Sequence, residues 1–508
     1  MTAVHRRRTS SCENSSSKFF HELVLFASSA ALSWLLLRTR LRILDPNLDG
    51  TVKTNPPPPE HILEDRISEL PDEILSLILS FLTLKEAGRT SILSKRWKHV
   101  WKYVPDLDFN AFTTLCEMVT GEDYLDRIIR ERPKFVNWVN KVLQSHQIPI
   151  LNKFRIYCDL HDSFHSELNK WLVHAFDKRV QQLEINLSHH GPIYNLSTHG
   201  RHWDTIRIHE SYVFNPTIFA QRSWNSLKEL ILKRVLVSGV TVEFLLHNCN
   251  NLESLGVHAS GHLRSLKVCG PSIALQHLEI NFCPLNTVII SDVNLISLKI
   301  GRHRALVLKN VPKLVHIGIL SCSYVVKDFV CQFSCYFSKL VVLFLCLDPN
   351  QAREFDVKLP QLPALKQLSL KFLLLFKESM LGLTSFFRAS PNLEKFVIKP
   401  GYSSAVRTNR EPENVVYYPV QHLRVVEIIG YRGRSIELDL VKYFLESAVS
   451  LKKIIVDPCF KEVEHCGENW SCDLETLTVE AEVTNAARRW AKQQLVGLVP
   501  SHITLQIL

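Results

Sequence analysis

Few side chains in this 508-residue chain are spaced for covalent or metal chemistry. Cys459, His465, Cys466 and Cys472 form the one cluster of metal-ligating residue types. A structural zinc site pairs its thiolates at Cys-x-x-Cys steps, and this cluster has no such step, so it reads as loop cysteines. Cys331 and Cys335, three residues between them, read the same way. No G-x-x-x-x-G-K-[ST] loop is present to cradle phosphate, no G-x-S-x-G turn to present a nucleophile, and no H-E-x-x-H helix to hold zinc beside a base. The sequence therefore offers no catalytic residues, no metal site and no cofactor. The Asn186-x-Ser188 sequon would matter only in a secreted chain.

What remains is the chemistry of binding, and it is densest between Asp65 and Asn110, which read DRISELPDEILSLILSFLTLKEAGRTSILSKRWKHVWKYVPDLDFN. Pro71 suits a first helical position, because the N–H it lacks would be unpaired there. Asp72 and Glu73 then place negative charge at the positive end of the helix dipole. Leu75, Ile78, Leu79 and Leu82 recur at i, i+3, i+4 and i+7, one apolar stripe. A second short helix is expected over Lys85–Ser91, and a third carries Trp97 and Trp101 on one face. So short a unit closes a core with difficulty, and its many large apolar residues point to burial against a partner.

These residues resemble the F-box in its plant form: D-R-I-S-x-L-P-D-E-I-L, then S-F-L, then K-E-A-x-R-T-S-I-L-S-K-R-W, then W and P-x-L-D-F. The match departs at Thr83 and Leu84, where the family usually has Pro-Thr, and at Gly88, where it usually has a β-branched residue. Glycine in a helix costs up to about 1 kcal/mol. The resemblance implies that Leu70, Pro71, Ile74, Leu75, Ile78, Leu93 and Trp97 dock on the Skp-type adaptor of a cullin–RING ubiquitin ligase. The same residues also suit a three-helix core, and the sequence does not sort those facing inward from those facing outward.

The rest of the chain is a repeat of the form apolar-x-x-apolar-x-apolar. It runs through Leu151/Phe154/Ile156, Val180/Leu183/Ile185, Trp203/Ile206/Ile208, Leu227/Leu230/Leu232 and Leu252/Leu255/Val257. It continues through Leu275/Leu278/Ile280, Leu295/Leu298/Ile300, Leu314/Ile317/Ile319, Leu340/Leu343/Leu345, Leu365/Leu368/Leu370, Leu393/Phe396/Ile398, Leu423/Val426/Ile428, Leu451/Ile454/Val456 and Leu474/Leu477/Val479. Steps of roughly 19–30 residues are those of leucine-rich repeats, each contributing one strand to a stacked parallel sheet. Secondary copies at Leu263/Leu266/Val268 and Leu285/Val288/Ile290 fall at half-steps too short for a helix, which predicts strands on both sides there. Longer steps admit helices over Ser163–Phe176, Val240–His247 and Leu381–Arg388. Phe135, Val136, Val139, Val142 and Leu143 make a helical stripe that is expected to cap the open end of the solenoid. His422–Pro458 resembles the FBD region that ends many plant F-box proteins, with a turn at Gly430 and Gly433 and a helix over Glu437–Ser447; Ala486–Leu495 suggests a closing helix.

The expected fold class is thus α/β: an N-terminal three-helix F-box followed by a leucine-rich-repeat solenoid, with parallel strands on the concave face and mixed helices and short strands outside. Its divisions are an apolar extension over 1–55 with a Pro-rich spacer to 59, F-box 64–110, helical linker 111–150, repeats 151–420, FBD-like region 421–480 and cap 481–508. In such repeats the x positions face the concave surface; Arg207, Lys228, Lys267, Lys299, Lys366 and Arg424 give it a mild cationic bias that favours an acidic partner.

The formal charge of +10 is scattered among residues of both signs, which argues against nucleic acid. The 13 cysteines are odd in number, and Cys249, Cys269, Cys283 and Cys346 sit in apolar runs, so they read as reduced, buried hydrophobes of an intracellular protein. Leu23–Leu37 is an apolar run flanked by arginines, shorter than the roughly 20 residues a spanning helix needs. It leaves a membrane anchor within 19–37 and an amphipathic or disordered extension both open. The expectation from these features is a non-catalytic ligase subunit in the nucleus or cytoplasm, binding a Skp-type adaptor, through it a cullin, and a target protein. A non-ligase receptor for a protein or small ligand, or a membrane-tethered form, is the alternative.

Overall fold

The computed structural model describes residues 70–111, 124–188, 212–219, 224–320, 326–347, 359–372, 379–401, 418–458 and 474–508. The expected extension and spacer, the Trp203 repeat and the Cys459–Cys472 cluster lie outside these residues. The chain divides into two compact units at Val104 and Pro105.

The first unit contains α1 (Asp72–Ser80), α2 (Leu84–Arg89) and α3 (Trp97–Val100), with single 3₁₀ turns after the last two. Leu75, Leu79, Ala87, Trp97, Val100 and Val104 form its core, with Leu70, Leu82, Leu93 and Trp101 packed against it. Thr83, where the sequence departs from the family pattern, caps α2. Its hydroxyl accepts from the Glu86 N–H at 3.3 Å, and a Glu86 carboxylate oxygen accepts from the Thr83 N–H at 3.0 Å. Two end groups of α2 are thereby satisfied reciprocally.

The second unit is built on a 14-stranded parallel sheet. Its first strand, β1 (Asp106–Asn110), is the P-x-L-D-F end of the F-box match; it pairs in register with β2 (Lys153–Tyr157), so these residues of the expected F-box division join the sheet of the second unit. Helix α4 (Tyr124–Ser145) connects these two strands, so it is the crossover of the first repeat and not a terminal cap. Its Val139, Val142 and Leu143 are buried, and Trp138 packs edge-on against Phe109 of β1. Next come α5 (His165–Asp177), β3 (Gln182–Asn186) and β4 (Glu229–Lys233). β3 and β4 pair directly.

After α6 (Gly239–Asn248) the strands alternate between two sheets. β5 (Ser254–His258), β7 (His277–Asn281) and β9 (Ser297–Ile300) extend the main sheet, while β6 (Ser265–Cys269), β8 (Leu285–Ser291) and β10 (His303–Lys309) form a second one. The half-step repeats are those outer strands; His303–Lys309 is a third that the sequence pattern did not mark. Each of β4, β5 and β7 is followed directly by a residue with positive φ: Arg234, Ala259 and Phe282. One turn thus recurs from coil to coil.

The main sheet continues through β11 (His316–Ile319), α7 (Val326–Phe333), β12 (Val342–Leu347), β13 (Gln367–Phe372), α8 (Ser379–Ala389), β14 (Lys395–Lys399), β15 (Val425–Ile429), α9 (Ser435–Ser447) and β16 (Lys453–Asp457). The expected strand at Leu474/Leu477/Val479 is instead the start of helix α10 (Leu474–Leu495), since a Leu-x-x-Leu spacing also satisfies a helix. The sheet ends on β17 (Thr504–Ile507), paired with β16.

The sheet register explains the repeat. Leu183, Leu230, Leu255, Leu278, Leu298 and Ile317 stand side by side in one buried column, and Ile185, Leu232, Val257, Ile280, Ile300 and Ile319 in the next. Helix aromatics cover these columns, as where Phe387 of α8 and Phe444 of α9 both meet Phe396 of β14. Burying one such side chain contributes about 1.5–3 kcal/mol, an upper estimate for the extended unfolded chain. The opposite face of the main sheet carries the side chains between the columns and stays open.

Candidate binding surfaces

In the first unit the adaptor-docking residues separate by burial. Leu75 is 0% and Trp97 3% exposed, so both belong to the core of this unit. Pro71 is exposed, and Leu70, Ile74, Ile78 and Leu93 are half-buried. Three further apolar residues point outward: Leu77 at 42%, Phe81 at 54% and Ile92 at 62% exposed. Leu77 and Phe81 are four apart, which puts them on neighbouring turns of one side of α1. The candidates read from the sequence came from that stripe and its neighbours and passed over these three; their signal was being apolar off the stripe. Gly88 has nothing within 4 Å of where a Cβ would stand.

In the second unit the candidate cations do not form one surface. Arg207 lies outside the described residues. Lys267 stands on β6 of the second sheet, so it is removed from the open face of the main sheet. Lys228, Lys366 and Arg424 each directly precede a strand or sit one residue before it, where their carbonyls accept from the next repeat. Lys299 lies in the middle of β9 on the open face.

The expected cationic bias is also corrected, because carboxylates interleave with the bases. Arg155 lies 3.3 Å from Asp108 and 3.1 Å from Glu184, and Lys233 lies 3.3 Å from Glu184. Lys299 pairs with Glu279 at 2.9 Å, Lys366 with Glu394 at 2.6 Å and Lys395 with Glu427 at 2.8 Å. The hydrogen bond from Lys366 holds the Glu394 carboxyl below its usual range, helped by its charge. Among the described residues, acids and bases thus interleave at these pairs.

A depression of about 360 Å³ lies over β4, β5, β7 and β9. Ile231, Gly256, His258, Glu279 and Lys299 line it.

Cys158, Cys249, Cys283 and Cys346 are buried. Burial pushes the Cys249 and Cys283 thiols up to about 12 and Cys158 higher still. Cys331 and Cys335 are free and exposed. Among the described residues no group of three or more His, Cys, Asp or Glu is placed to hold a metal ion. No helix among them is long and apolar enough to cross a membrane, and segment 19–37 is outside them.

Comparison with known proteins agrees with both units. The F-box domain model matches residues 67–108. The model described as At1g61320/AtMIF1, LRR domain, matches residues 142–508. Among curated relatives, F-box/FBD/LRR-repeat protein At3g26920 of Arabidopsis thaliana is 27% identical over 80% of this chain and 93% of its own length. F-box protein At5g03100 of the same plant is 30% identical over 42% of this chain and 63% of its own. FBD-associated F-box protein At4g10400, also from Arabidopsis, is 29% identical over 49% and 60%. The last two are thus matched over less than two thirds of their length. An F-box ahead of a register-aligned parallel solenoid, with a family match across well over half of the sequence, places this chain in the plant F-box/leucine-rich-repeat family that carries the At1g61320/AtMIF1 LRR domain.

Proposed function

We propose that the chain is the substrate-recognition subunit of an SCF-type cullin–RING ubiquitin ligase. F-box domains in general bind Skp-type adaptors, and here the adaptor would connect the chain to a cullin. The solenoid holds a target protein on its open face. The carrying observation is that the F-box closes its own core yet leaves Leu77, Phe81 and Ile92 outside it. Exposed apolar residues grouped on a small unit mark a protein contact. In this scheme the chain has no nucleophile or acid–base group of its own. It raises the effective concentration of a target lysine beside the charged conjugating enzyme.

Pull-down of adaptor and cullin tests this with wild type, Leu70→Ala/Pro71→Ala and Phe81→Ala. Wild type should capture both proteins and each variant less. Capture of neither by the wild type would leave a repeat-based binding module outside any ligase. The working location proposed is the nucleus or cytoplasm. The apolar run Leu23–Leu37 supports a membrane-tethered second reading, which fractionation with and without residues 1–55 separates.

A further inference from the structure

The second sheet, in the order β6–β8–β10, has two edges that differ. At β6 the start of α6 closes in, so that a Cβ on Gly239 would meet the Ser265 carbonyl at 2.0 Å. β10 stands at the other end, and among the described residues no strand pairs with its far side. The register says which groups are left there. The Lys309 carbonyl accepts from the Asp292 N–H at 3.0 Å, so Lys309, Val307 and Ala305 turn their backbone toward β8. Alternation along the strand turns the N–H and C=O groups of Arg304, Leu306 and Leu308 away from it. Among the described residues these groups take no hydrogen bond. Such a row is a template for an added strand.

The charge of this sheet selects what can add. Arg264, Lys267, Arg302, Arg304, Lys309 and Lys313 lie on its strands or in the residues beside them, and all are exposed. Among the described residues none of them forms an ion pair. From Ala259 to Val315 the acids are Glu279, which stands on β7 of the main sheet, and Asp292, which accepts from the Asn310 amide at 2.8 Å. Cations on an edge strand commonly keep like edges apart, and here they would repel the same edge of a second copy. An acidic strand is attracted instead. Nucleic acid and anionic lipid also suit the charge, but neither matches a row of alternating backbone donors and acceptors at strand spacing. On the outer face Val307, 48% exposed, lies between Ala305 and Lys309. A partner strand would set an apolar residue beside Val307 and acids toward Lys309 at one end and Arg302 and Arg304 at the other.

We propose that β10 is a docking edge for an extended acidic segment of a partner protein, which adds to the second sheet as its next strand. Main-chain hydrogen bonds to Arg304, Leu306 and Leu308 supply the affinity, and the surrounding cations choose the sign of the partner. This edge belongs to a different sheet from the open face assigned to the target protein, and it stands without the ligase reading.

Full-length protein, isotope-labelled at leucine, is titrated with a short acetylated peptide that is acidic at both ends and alternates threonine with valine between. The comparators are the same peptide N-methylated at alternate residues, a version with lysine ends, oligouridylate, and phosphatidylserine vesicles. The acidic peptide should bind with a dissociation constant on the order of 0.1 mM, and more weakly as salt rises. Amide exchange at Leu306 and Leu308 should slow by about tenfold at ten times that concentration, because their N–H groups gain partners. Arg304→Glu/Lys309→Glu should weaken binding about tenfold. The milder Lys309→Gln should weaken it about threefold. Unchanged melting temperatures would show that the variants fold. The proposal is overturned by no binding of the acidic peptide, or by binding that leaves exchange at Leu306 and Leu308 unchanged. Equal binding of the N-methylated or lysine-ended peptide, or of the acidic peptide to the folded variants, overturns it too. Tighter binding of oligouridylate or of the vesicles, without leucine protection, would assign the charge to nucleic acid or lipid instead.

Discussion

The Arg96 guanidinium meets the Asp72 carboxylate at 2.8 Å, tying the residue before α3 to the first turn of α1. Its Nε also donates to Asp72 at 2.9 Å, and its terminal nitrogen donates to the Leu70 carbonyl. Both side chains are more than a third exposed, so the pair contributes at most about 1 kcal/mol. Its consequence is positional, because it fixes Leu70 beside the start of α1. Arg96→Ala should therefore cost under about 1 kcal/mol in denaturant unfolding while reducing adaptor capture clearly. A stability loss well above that, with capture falling in proportion, would assign Arg96 to the core's integrity instead.

Leu75 and Phe81 lie on the same helix and its end, and substitutions there should fail in different ways. Leu75→Ala opens a cavity in a fully buried site and should cost about 2–5 kcal/mol. Phe81→Ala removes a half-exposed ring and should leave the melting temperature nearly unchanged while lowering adaptor affinity. Calorimetry beside a binding titration separates them. If Phe81→Ala unfolds the unit, its ring is structural.

Gly88 offers a gain. An added Cβ meets nothing within 4 Å, and the residue lies inside α2. Gly88→Ala should stabilise the F-box by up to about 1 kcal/mol through helix propensity alone. Chemical denaturation of the wild type and variant measures it. Destabilisation would show that the helix there is strained.

Much of this organisation was legible in the sequence, and the failures have physical causes. The apolar-x-x-apolar-x-apolar columns became strands because period-two burial and parallel stacking demand them. Leu474/Leu477/Val479 misled because three-residue spacing serves a helix equally well. The strand at Asp106–Asn110 was hidden inside a motif assigned to the other unit, and β17 because His502 stands where the other repeats have their leading apolar residue. Lys267 was placed on the wrong sheet because main and half-step strands carry the same local pattern. The ion pairs of Glu184 and Glu279 were invisible because cross-strand partners are tens of residues apart.

The buried thiols predict a pattern of reactivity and a pH response. Cys331 and Cys335 are exposed and should react with a thiol reagent in the native state. Cys249 and Cys283, held up to about 12, should react only on unfolding. Their folded values lie above the unfolded thiol value of about 8.5. The stability they contribute is therefore complete below that value and falls as the pH rises from it toward their folded values. Mass spectrometry after brief alkylation, beside unfolding at pH 8 and pH 10, checks both. Rapid native labelling of Cys283 would refute the burial argument.

Glu437 holds the turn that precedes α9. It is 0% exposed, and its carboxylate accepts from the Arg432 N–H at 2.9 Å and from the Arg434 N–H at 3.0 Å. The turn between needs Gly430 and Gly433 at φ of 85° and 77°, where other residues are strained. Gln494 of α10 fastens the far side, accepting from the Tyr431 hydroxyl at 2.5 Å and donating to the Gly433 carbonyl at 3.0 Å. Glu437→Gln exchanges one acceptor oxygen for a donor that faces N–H groups, so it should cost about 1–3 kcal/mol. Because the turn joins α9 to α10, the loss should appear first as faster amide exchange over 430–437 and the described part of α10. Adaptor capture should not change, since the F-box is a separate unit. Exchange that accelerates uniformly across the solenoid would show instead that the repeats melt as one body and that this turn has no local stability of its own.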